Sequence, residues 1–66
     1  MTHSEETEIE MARRHVREGE EHVARQREII DRLPSTGEVA EIARTLLADY
    51  EDSLALHRAH LGRLQG

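Results

Sequence analysis

The chain has 66 residues, a net charge of −5 and no cysteine. That excludes a disulfide framework and any thiolate metal site. It has no apolar run near the 20 residues a membrane-spanning helix needs, and no polybasic stripe for nucleic acid or an anionic bilayer. No charged-then-apolar leader opens it, so a cytoplasmic location is expected. All nine basic residues are Arg, and the acids outnumber them in both halves.

Taken in chain order, the first element is a helix expected over about 5–32. Thr2 with Glu5, or Ser4 alone, is placed to cap its start. The acidic run Glu5-Glu6-Thr7-Glu8-Ile9-Glu10 suits the positive end of a helix dipole. Ile9, Val16, Val23 and Ile30 recur every seven residues, with Ala12, Gly19, Gln26 and Leu33 three positions later. This is a heptad seam of uneven quality. Gly19 in mid-helix costs about 1 kcal/mol relative to Ala, but it lets a neighbouring helix approach. Gln26 reads as a register-setting polar residue within the seam. Glu10–Arg14, Arg14–Glu18, Glu21–Arg25 and Glu28–Arg32 have the spacing of helical ion pairs.

The segment 33–37, Leu-Pro-Ser-Thr-Gly, breaks the chain at its midpoint. Ser35 followed by Glu38 has the form of a capping box, which predicts a second helix over about 36–64. Its stripe is Ala40, Ala43, Leu47, Tyr50, Leu54, His57, Leu61 and Leu64, with Val39, Ile42, Leu46, Ala55 and Leu56 beside it. That apolar face is wider than one neighbouring helix covers. No alternating segment predicts a strand.

The expected fold is all-α, a single-domain two-helix antiparallel hairpin over residues 1–66. At this size one hairpin buries little surface. The surplus on the second helix therefore predicts a homodimer that forms a four-helix bundle. The interface is expected to use Val39, Ile42, Leu46, Leu47, Tyr50, Leu54, Leu61 and Leu64. The expected function is a structural or protein-interaction module. Phosphate loops, nucleophile elbows and paired buried acids are missing from the sequence, so no enzyme and no catalytic or cofactor-binding residue is expected.

Two rivals remain open. A hairpin turning near Ser35 sets position i opposite roughly 70 − i. That arrangement draws His15, His57 and His60 together, with Glu10 nearby, as ligands for zinc or another transition metal. Against it, the bundle motif Glu-x-x-His is absent, and the plainer reading has the histidines packing their rings beside the seam. The other rival is a small regulator seated in the groove of a larger protein.

The run from Val16 to Ile30, together with Ala43-Arg44-Thr45-Leu46-Leu47 and the stretch from Ser53 to His60, resembles a group of short hypothetical proteins from soil alphaproteobacteria. The resemblance spans about Ala12 to Leu64. It implies a natural bacterial helical hairpin and carries over no catalytic or binding residue.

Overall fold

A computed structural model describes residues 6–66. The proposed caps Thr2 and Ser4, and Glu5, lie outside the described residues. Two helices account for nearly all of the rest: α1 over Glu8–Asp31 and α2 over Glu38–Gln65. Among the described residues there is no strand.

Thr7 starts α1. Its hydroxyl accepts from the Glu10 amide at 3.1 Å, and the Glu10 carboxylate accepts from the Thr7 amide at 2.9 Å. This reciprocal pair is a capping box, and it satisfies two amides that have no partner within the helix. It sets the α1 start at Glu8 rather than near Glu5. Glu8 and Glu10 in the first turn also oppose the dipole. The helix ends as the Arg32 and Leu33 amides fold back onto the Ile29 and Ile30 carbonyls, at 3.1 and 3.0 Å. Pro34 then forbids continuation.

The second capping box does not form. The residue preceding α2 is Gly37, with no side-chain cap bond, and Ser35 stands too early to serve the helix that begins at Glu38. Gly37 has φ 110° and ψ 170°, a conformation that side chains rarely tolerate. The turn therefore relies on glycine freedom instead of a serine hydroxyl. The Arg44 guanidinium donates to the Ser35 carbonyl and ties the turn to the second coil of α2.

The two helices pack side by side in one layer, with overall dimensions of 48 × 32 × 14 Å. The seam is the one the heptads specify. Ala12, Val23 and Gln26 from α1 are buried against Ala40, Ala43 and Leu54 from α2. Ile9, Val16, Gly19, Ile30 and Leu33 are half-buried along the same line, as are Leu47, Tyr50, His57, Leu61 and Leu64. Two contacts set the register. The first is at Gly19: a Cβ there would stand 3.0 Å from Leu54 Cδ1 and 3.7 Å from Leu54 Cα, so only glycine allows this approach without displacement. The second is Gln26 Nε2, which donates to the Ala43 carbonyl at 2.9 Å. Buried amide groups need such partners, and this bond links the helices at one axial position.

Candidate functional site

A single layer of two helices has two broad faces, and here they differ in chemistry. On one face, Glu20 accepts from Arg58 at 3.1 Å and Glu51 accepts from Arg27 at 2.8 Å. These pairs bridge the helices over Val23 and Leu54. Their side chains are about half exposed, between 44% and 62%. Each pair is thus worth about 0–1 kcal/mol, and together they favour one register more than they stabilise the fold.

The opposite face carries the histidines. His15 on α1 lies against His57 on α2, with ring centroids 5.0 Å apart and planes inclined at 48°. Almost two turns further along α1, and almost two turns back along α2, His22 meets Tyr50 at 5.5 Å and 58°. His60 lies beside His57 in a groove of about 550 Å³ that also has His15, Met11, Leu56 and Glu8 in its walls. These positions follow from heptad geometry. His15 and His22 immediately precede the core residues Val16 and Val23, so both lie on the same flank of the seam.

The metal candidates can now be placed one by one. His15 and His57 come together, and His60 lines the same groove. Glu10 does not join them, because its carboxylate is committed to the Thr7 amide. Among the described residues no group of three or more His, Asp or Glu stands close enough to hold a metal ion.

Of the helical ion pairs read from spacing, Arg14–Glu18 forms, at 3.3 Å. The other three do not close among the described residues. Glu10 is drawn into its cap, and Arg14 also takes Glu6, with its Nε donating at 2.9 Å and its Nη2 at 3.0 Å. The Arg14 guanidinium holds the Glu6 carboxyl below its ordinary value, and Glu6 and Glu18 in turn raise Arg14. The cross-helix pairs Arg27–Glu51 and Arg58–Glu20 were not read from the sequence. The signal for them was present, in opposite charges at the flanking heptad positions of an antiparallel pair.

The expected interface residues divide into two sets. Leu54 is buried in the hairpin seam itself. Leu47, Tyr50, Leu61 and Leu64 are half-buried along it, so most of their apolar surface is already spent within the chain. Val39 (63% exposed), Ile42 (62%) and Leu46 (40%) remain open, and Leu56 (72%), absent from the expected set, is the most exposed large aliphatic. Met11 and Ile29 add to them from α1.

No helix among the described residues is long and apolar enough to cross a membrane. No family model, curated protein or solved structure matches the chain.

Proposed function

We propose that this chain is a small structural module that pairs with a second copy through the exposed apolar strip at the turn end of α2, forming a four-helix bundle. The observation that carries the reading is an apolar strip that the hairpin leaves uncovered: Val39, Ile42 and Leu46 are 63%, 62% and 40% exposed. They fall on one flank of α2, and a two-fold axis sets such a strip against itself. The ion-paired face offers no comparable apolar strip and is left to water.

Sedimentation equilibrium at micromolar concentration tests this. A helical species at twice the monomer mass is the expected result. A stably folded species at monomer mass overturns it. Each copy carries five surplus negative charges, so added salt should strengthen the association by screening their repulsion.

A further inference from the structure

The His15–His57 pair packs at a separation that two imidazoles sharing one ion also adopt. Two imidazoles that bind one zinc ion at 2.0–2.1 Å, with a tetrahedral angle between them, hold their ring centroids about 5 Å apart. The observed separation is 5.0 Å, with the rings tilted at 48° rather than parallel. The two rings come from different helices, 42 positions apart in sequence, and a groove gives access to both. The surroundings favour a cation: the groove includes Glu8, and the chain as a whole is acidic. Both rings are half-buried, so their positions are restrained by packing before any ligand arrives.

We propose that His15 and His57 form a two-imidazole clamp for a borderline divalent cation of the zinc class, with water completing the coordination. Imidazole nitrogen is the ligand such ions select over magnesium or calcium, which take oxygen. The ligand set stops at two protein groups. The ion therefore binds reversibly and pins α1 to α2 near the open end of the hairpin, where buried Ala12 and half-buried Ile9, Leu61 and Leu64 otherwise hold the helices together. This inference does not rest on the dimer: both rings belong to one chain.

The test is thermal unfolding of the full chain with zinc chloride, in a His3→Gln background that removes the histidine outside the described residues. At ten times the dissociation constant the midpoint should rise by roughly 5–10 °C, while magnesium leaves it unchanged. His15→Gln and His57→Gln should each abolish the rise, and His22→Gln should keep it. A second readout does not depend on variants: zinc should shift the ring resonances of His15 and His57 together. No thermal rise, a rise that survives in either clamp variant, or zinc-induced shifts confined to other histidines would overturn the clamp. Sedimentation of His15→Gln separates the two proposals, because loss of zinc binding with the dimer intact leaves the association reading standing.

Discussion

The two faces of the hairpin are built from the same helices and the same heptads, yet they differ in kind. One flank of the seam carries Glu20, Arg27, Glu51 and Arg58, paired across the helices and wet. The other carries His15, His22, Val39 and Leu46, and among the described residues no charge pair bridges the helices over them. The ionic flank satisfies itself within one chain. The histidine and aliphatic flank leaves apolar surface in water, beside the half-buried rings of His15 and His57. The contrast teaches that the polarity of an antiparallel helix pair is decided at the positions beside the core, not in it.

The seam that separates the faces is where the largest effect is expected. Leu54→Ala removes the largest buried aliphatic side chain and empties the space over Gly19. A loss of about 2–5 kcal/mol is expected, enough to unfold a chain this small, and circular dichroism melting would register it. Next comes the aliphatic flank. Ile42→Glu with Leu46→Glu places charge at two exposed sites, so helicity should persist while the sedimentation mass falls to that of the monomer. A dimer that tolerates both changes would move the contact to another surface.

Smaller effects belong to the ionic flank. A double-mutant cycle on Arg27→Ala and Glu51→Ala should return a coupling of about 0.2–1 kcal/mol, shrinking in salt. A coupling well above that range would make this flank more than a surface pairing. The smallest effect lies at Glu6. Its carboxyl titrates below its ordinary value of 4.5 because Arg14 binds the charged form. Any stability it contributes is therefore present above that value and lost as pH falls through the lowered one. An NMR acid titration should show the Glu6 carboxyl protonating below its ordinary value of 4.5, and Arg14→Gln should remove the shift.

Much of this was legible beforehand. The α1 and α2 heptads named the seam residue by residue, including the odd members Gly19 and Gln26, because a core between two helices needs only the 3.5-residue period to be specified. The close approach at Gly19 followed from a missing side chain. The helix ends were less legible. Thr7 with Glu10 satisfies the same cap pattern as Thr2 with Glu5, and sequence spacing does not rank them. Ser35 with Glu38 also fits the pattern, yet the chain enters α2 through Gly37, since a positive φ at one residue re-aims the backbone without a hydroxyl. The binding candidates were partly legible. The 70 − i estimate brought His15 to His57, but a linear map does not know that Glu10 is already engaged by Thr7.

Periodicity and the break at Pro34 therefore determined that there are two helices, where the chain reverses and which stripe of each is hidden, because these depend on local propensity and on burial of the nearest apolar neighbours. Tertiary structure decided the axial register, through Gly19 against Leu54 and Gln26 against the Ala43 carbonyl. It also decided which charges meet across the helices and how closely His15 approaches His57. Those outcomes depend on a shift of a few ångströms between two rigid rods, and only side chains in contact fix a distance that small.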